Sequence, residues 1–124
     1  MSTYNTTVYR RQGDGAVVTS GQTAVTQITS ITTGVTCNAL SGAITTVSQT
    51  VAAGAEADFT VTNSEVAATD VVSVCIADHT SAGTFAATVS AVAAGSFDVR
   101  LTNLGAAAGD NTLTINFVVH KAEA

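Results

Sequence analysis

Few residues of this chain could do chemistry, and the adjacent pair Asp78 and His79 is the first to consider. A histidine beside a carboxylate can move protons or hold a metal ion, but either role needs a third group nearby. No third residue stands at ligand spacing, and the other histidine, His120, ends an apolar stretch far along the chain. We therefore expect Asp78 and His79 to lie in a solvated loop, without a metal ion.

The two cysteines, Cys37 and Cys75, each lie within an apolar stretch. Two cysteines do not make a disulfide framework, and a free cysteine usually packs as a small buried hydrophobic residue. We expect both to be buried free thiols in strands, with a disulfide between them as the alternative.

The acidic residues are scattered along the chain, mostly at expected turns and strand ends. Asp110 and Asn111 form a turn pair with too few oxygen ligands for a calcium loop, and the segment Gly13–Gly15 is too short to cradle a phosphate. No serine or cysteine stands with a base and an orienting group. The sequence therefore predicts no enzyme activity and no cofactor.

The composition points instead to a structural protein. Charged residues make up 10% of the chain, against roughly 25% in ordinary soluble domains. Alanine and valine dominate the apolar residues, and such a small-residue core favours oligomerisation over a stable monomer. The net charge of −5 argues against nucleic-acid binding, and no apolar run is long enough to span a membrane. The start of the chain lacks the basic and apolar regions of a secretion signal, so we expect synthesis in the cytoplasm.

The elements that must position these residues are strands. Two stretches near the end of the chain alternate apolar and polar residues over seven or more positions, which is typical of strands with one buried face. Their inward residues are Phe97, Val99 and Leu101 in the first stretch and Leu113, Ile115, Phe117 and Val119 in the second. Ala94 and Gly95 predict the turn before the first of them.

Further strands are predicted upstream. Ser41 and Gly42 could close a hairpin, and residues 65–70 could form a single helical turn. Residues 70–77 are the most apolar run and predict a central strand covered on both faces. About seven strands without helical periodicity indicate an all-β fold, specifically an antiparallel β-sandwich or jelly roll.

Residues 1–30 predict an extended N-terminal arm, and residues 31–124 the β-sandwich domain. The arm contains strand-forming residues but too few large apolar groups for a core, so its partner should be another chain, with disorder as the alternative. The residues expected to contact that partner are Tyr4, Val8, Tyr9, Arg10, Arg11, Val17 and Val18.

Several segments resemble small structural proteins and fibre modules of tailed bacteriophages. They are residues 26–46 (TQITSITTGVTCNALSGAITT), residues 52–72, residues 93–97 and residues 115–121. Residues 9–14 with residues 17–21 are similar to the start of small capsid-associated proteins of such phages. The long Gly/Ser-rich repeat that lengthens the arm of many relatives is nearly absent here, which favours a compact knob over a projecting fibre.

The resemblance implies a head decoration, or cement, protein on the capsid surface of the virion. Such a protein would be a homotrimer, and its arms would bind the major capsid protein and stabilise the outer surface of the head shell. A tail-fibre module or a receptor- or glycan-binding tip is the main alternative. A head-to-tail connector component is a weaker one, because a ring of that kind uses charge complementarity that this sequence lacks.

Overall fold

The computed structural model describes residues 22–79, 83–110 and 112–122. Within these ranges the chain forms ten strands and no helix. The strands are β1 (Thr23–Thr26), β2 (Val35–Thr36), β3 (Ser41–Thr45), β4 (Thr50–Val51), β5 (Glu56–Thr62), β6 (Val71–His79), β7 (Phe85–Ala93), β8 (Ser96–Asn103), β9 (Gly109–Asp110) and β10 (Leu113–His120).

Most of these strands belong to two four-stranded sheets. We call the sheet with the order β1-β3-β10-β6 sheet A, and the sheet with the order β2-β5-β8-β7 sheet B, while β4 and β9 form a separate two-stranded ribbon. The inward side chains of both sheets belong to a single apolar core. The all-β prediction is confirmed, and the arrangement is compatible with a β-sandwich.

The sheets are mixed, so the prediction of purely antiparallel pairing is wrong. β1 runs parallel to β3, and β2 runs parallel to β5, whereas the longer strands pair antiparallel. The reason lies in the connections: after β1 the chain crosses to sheet B for β2 and returns to sheet A for β3. A crossing of this kind lets neighbouring strands run in the same direction, which a hairpin does not.

The alternation predicted near the end of the chain is confirmed. In β8 the residues from Phe97 to Asn103 alternate between buried and half-buried, and β10 follows the same pattern from Leu113 to Val119. The rings of Phe97 in sheet B and Phe117 in sheet A lie 5.2 Å apart between centroids, tilted by 58°. This aromatic contact joins the two sheets across the middle of the core.

Gly42 permits a close approach within sheet A. A Cβ atom at this position would lie 2.5 Å from Cε2 of Phe117 and 2.8 Å from Sγ of Cys37. Ser41 and Gly42 both lie inside β3, so the predicted hairpin at these residues is wrong. The glycine gives space to a neighbouring aromatic ring instead of forming a turn.

β6 is an edge strand, so the prediction of a central strand covered on both faces is also wrong. It pairs with β10 on one side and ends the strand order of sheet A. Val72 faces the core and is buried, but Val71, Ser73 and Cys75 on the outer face are exposed. An apolar run indicates two covered faces only when another layer lies on each side.

The expected turn between β7 and β8 is confirmed at Ala94 and Gly95. Gly95 has a φ of +83°, a conformation that favours glycine. The predicted helical turn at residues 65–70 is absent; those residues form non-helical turns, in which the Asp70 amide donates to the carbonyl of Ala67 at 3.0 Å.

Three buried amide side chains hold the connections in place. Asn103 donates to the carbonyls of Val51 and Ala107, both at 3.0 Å, and accepts from the Gly105 amide at 2.9 Å. The Asn63 side chain accepts a hydrogen bond from the Ala39 amide and donates one to the Ala39 carbonyl. The Gln27 side chain donates to the carbonyl of Ile31. Each amide supplies hydrogen bonds that these buried backbone groups would otherwise lack.

The described part of the predicted arm belongs to sheet A. β1 pairs with β3 from Thr23 to Thr26, and Gln27 is buried. Residues 1–21 lie outside the described residues.

Candidate functional site

The middle of the outer face of sheet A is an uncharged surface. The strand register places Ala43, Asn116 and Cys75 in one row across β3, β10 and β6, and Ser41, Val118 and Ser73 in the next. With Val71, these seven residues form what we call the neutral patch. It contains no aspartate, glutamate, lysine or arginine; Asp78 and His120 lie at its two ends.

The neutral patch consists of exposed and half-buried small side chains, except for Ser41, which is buried. Val71 is 60% exposed, Ser73 and Cys75 are exposed, and Asn116 and Val118 are half-buried. A depression of about 130 Å³ lies between β6 and β10, lined by Ser73 to Cys75 and Asn116 to Val118. Pockets that enclose small molecules are usually about 300 Å³ or larger, so the shape suits a protein surface better than a small ligand.

The outer face of sheet B differs in charge. Arg100 on β8 makes a two-point ion pair with Asp58 on β5, with both nitrogen–oxygen distances at 2.8 Å, and its Nε lies 3.6 Å from Glu56. Hydrogen bonding to Arg100 lowers the pKa of Asp58, and the same bond raises the pKa of Arg100. Thr60 donates to Asp98 at 2.7 Å on this face. Sheet B therefore presents charged groups to water, whereas the neutral patch of sheet A presents none.

His79 does not lie in a solvated loop, so that prediction is wrong. It ends β6 and is half-buried; its Nε2 lies 2.9 Å from the carbonyl oxygen of Asp110, and its ring packs edge-on against Phe85 with centroids 5.2 Å apart. The strand continues to His79 because β10 pairs with it through Leu113. The His79 side chain therefore joins the end of β6 to β9 and to the start of β7.

Ser48, His79 and Asp110 meet at this end, but not as a catalytic triad. Ser48 donates its hydroxyl hydrogen to the Asp110 carboxylate at 3.0–3.1 Å, whereas His79 contacts only the backbone oxygen of Asp110. A triad needs the histidine between the nucleophile and the carboxylate. The bond from Ser48 lowers the pKa of Asp110, and the side chains of Thr112 and Ser48 hold the carboxylate in a turn.

No group of three histidine, cysteine, aspartate or glutamate side chains suited to a metal ion occurs among the described residues. The same ranges contain no helix long and apolar enough to cross a membrane.

The two cysteines differ, and only half of the prediction about them is confirmed. Cys37, directly after β2, is buried with 1% exposure, and burial raises the pKa of its thiol. Cys75 is also a free thiol but is exposed within the neutral patch, so the prediction that it is buried is wrong. Its strand lies at the edge of sheet A, and no described residues cover its outer face.

The seven residues predicted to contact a partner, from Tyr4 to Val18, lie outside the described residues. Sequence reasoning also missed the neutral patch, although part of its signal was present. The alternation in residues 71–77 put Val71 and Cys75 on one face, but nothing in the sequence indicated that no second layer packs against this face.

Comparisons with protein families, with curated proteins and with solved structures find no match for this chain.

Proposed function

We propose that this chain is a capsid decoration protein of a tailed bacteriophage, which binds the outer surface of the head shell as a trimer and stabilises it without catalysis. The phage assignment and the trimer rest on the resemblance of its strand and turn segments. The observation that carries the binding role is the neutral patch, because interface centres are depleted of charged residues relative to the rest of a protein surface.

In this proposal the two outer faces have different tasks. The neutral patch packs against protein, either another copy or the shell, and the charged outer face of sheet B remains in water. The N-terminal arm contacts the major capsid protein through Tyr4, Tyr9 and their neighbours, since tyrosine combines apolar area with a hydroxyl suited to a wet interface. A jelly-roll arrangement of the domain belongs to the same proposal.

Stabilisation follows from having several attachment points. A trimer that holds several capsid subunits converts later contacts into intramolecular ones, which raises the overall affinity well above that of one arm. Subunits joined in this way resist the outward pressure of packaged DNA.

The experiment is binding of purified protein to head shells that lack it, followed by electron microscopy. We expect Val118→Lys, which puts a charge in the neutral patch, to reduce occupancy by roughly tenfold or more, equivalent to about 1.4 kcal/mol. Thr102→Lys is the matched control: Thr102 is also half-buried and outward on a central strand, but on sheet B. Deleting residues 2–22 should abolish attachment while the β-domain stays folded.

Equal occupancy for Val118→Lys and the unmodified protein would contradict a binding role for the neutral patch. Density for the protein at the tail and not on the head would contradict the decoration role and favour the fibre-tip alternative.

A further inference from the structure

β6 is the one long edge strand among the described residues whose middle part pairs without a register shift. The edge strands β1 and β2 are four and two residues long, and a bulge between Val89 and Ala91 interrupts β7. β6 has nine residues, and its own register shift lies at Ala77, near its end. The run from Val71 to Ile76 before that shift contains no charge and no proline. Proteins usually shorten, charge or bend such edges, because an open edge recruits another strand.

The backbone of β6 has groups available for a further strand. The Val119 amide donates to the carbonyl of Leu40 at 2.8 Å, so the odd-numbered residues of β10 bond towards β3 and the even-numbered ones towards β6. In an antiparallel pair, residues that bond to each other face each other. Ser73 and Cys75 therefore bond to β10, and Val72, Val74 and Ile76 direct their N–H and C=O groups to the free edge.

The charge distribution favours an identical chain as the partner. The chain carries a net charge of −5, and the outer face of sheet B holds three acidic residues (Glu56, Asp58 and Asp98) against the single positive charge of Arg100. Two copies approaching through those surfaces repel each other, whereas residues 71–77 are uncharged. Val74 and Ile76 are also only half-buried, so an added strand would cover apolar area at the edge of the core.

We propose that β6 pairs antiparallel with β6 of a second copy, about a two-fold axis at Val74, so that the two A sheets become one continuous sheet. In this register Val72 faces Ile76 of the second copy, and Ser73 faces its Cys75. The three edge-facing residues of each copy supply about six backbone hydrogen bonds. Centring on Val74 pairs the uncharged run with itself and leaves Asp78 outside the paired part.

This contact goes beyond the proposed function and does not involve the N-terminal arm. The interface is isologous, so it joins copies in twos. Where the chain forms a trimer through another surface, the β6 contact links copies of different trimers.

The first test uses Ser73→Cys with the native Cys75. Mild oxidation at micromolar concentration should give a disulfide-linked dimer, and peptide mapping should find the bond between residues 73 and 75 of different copies, since facing residues in a sheet meet disulfide distances. The matched control is Thr88→Cys with Cys75→Ser, which puts an exposed thiol on the outer face of sheet B. We expect it to cross-link roughly tenfold or more slowly.

Equal rates for these two proteins would overturn the pairing. A bond found only between the two Cys75 residues would overturn the register centred on Val74.

The second test measures mass in solution by sedimentation. Val74→Pro removes an edge-facing N–H without breaking a bond to β10, a position that tolerates proline. We expect the unmodified protein to sediment with a mass that is an even multiple of the 12.3 kDa chain mass. The Val74→Pro variant should have half the mass of the unmodified protein. Ala87→Pro is the control: Leu101 opposite it bonds towards β5, so the Ala87 amide faces the free edge of β7. That protein should keep the full mass, and an unchanged mass for Val74→Pro would overturn the proposal.

Discussion

Lys121 Nζ lies 2.5 Å from Oδ2 of Asp70, and this contact fixes the chain after β10 to the turn before β6. The Asp70 side chain is fully buried, while the Lys121 side chain is half-exposed. The amides of Ala67 and Ala122 also donate to the carboxylate, and Lys121 reaches the carbonyl of Glu65. Together these bonds tie the turn at residues 65–67 and the segment at residues 121–122 to the Asp70 carboxylate.

The carboxylate of Asp70 should make stability depend on acid pH. The hydrogen bond from Lys121, followed by those from the two amides, lowers the pKa of Asp70 to about 2. A group whose pKa is lower in the folded state stabilises the fold above its ordinary pKa, and this contribution is lost as the pH falls towards the folded value. We expect Asp70→Asn to lower the urea midpoint at neutral pH and the difference to disappear between about pH 4 and pH 2.

Chemical unfolding of both proteins across that range is the measurement. A difference that stays constant down to about pH 2 would show that the charge of Asp70 does not matter.

Gly42→Ala should destabilise the domain through overpacking. The new methyl group would lie 2.5 Å from a ring carbon of Phe117, and such insertions cost about 1–3 kcal/mol. Phe117→Leu alone should also destabilise, because it removes buried area. In the double variant the smaller side chain makes space, so we expect a total effect below the sum of the two in guanidinium unfolding. Simple additivity would speak against a steric contact.

Asn103→Ala should loosen the ribbon of β4 and β9. The side chain binds the carbonyls of Val51 and Ala107 and the Gly105 amide, and each buried group left without a partner costs about 1–3 kcal/mol. We expect a loss of at least about 2 kcal/mol in unfolding free energy and faster amide exchange around these groups. Asn116→Ala on the neutral patch is the control, with an expected change within about 0.5 kcal/mol. Equal losses for both variants would contradict the stabilising role of Asn103.

The two thiols should differ strongly in reactivity. Cys75 is exposed and should react rapidly with an aromatic disulfide reagent, whereas Cys37 is buried, has a raised pKa and should react only when the domain opens. We expect one fast equivalent in the native protein, none in Cys75→Ser and two after denaturation. A fast equivalent that remains in Cys75→Ser would show that Cys37 is accessible.

The sequence predicted individual strands better than their arrangement. The alternation in β8 and β10 is a local signal, because the burial of Phe97 or Ile115 follows directly from the pleat of its own strand. The position of β6 at an edge depends on which strands pair with β10, and its partners lie far away along the chain. Cys75 therefore carried the same local signal as a covered residue, and only the assembled sheets show that no described layer lies on its outer face.

The buried amides were missed for a related reason. Asn63 directly follows β5, and nothing in the neighbouring sequence indicates that its side chain binds the backbone around Ala39. The contact joins residues 24 positions apart, so it depends on the assembled fold.

The place of β10 in sheet A sets the order in which the domain can fold. β10 lies between β3 and β6, which do not pair with each other. While the chain is being synthesised, both strands lack their shared neighbour until residues 113–120 have left the ribosome. Pairing over such separations is slow, on the order of milliseconds to seconds for β-rich domains. Sheet A therefore closes after synthesis has passed β10, and until then the strand edges of β3 and β6 are exposed to the surrounding cell.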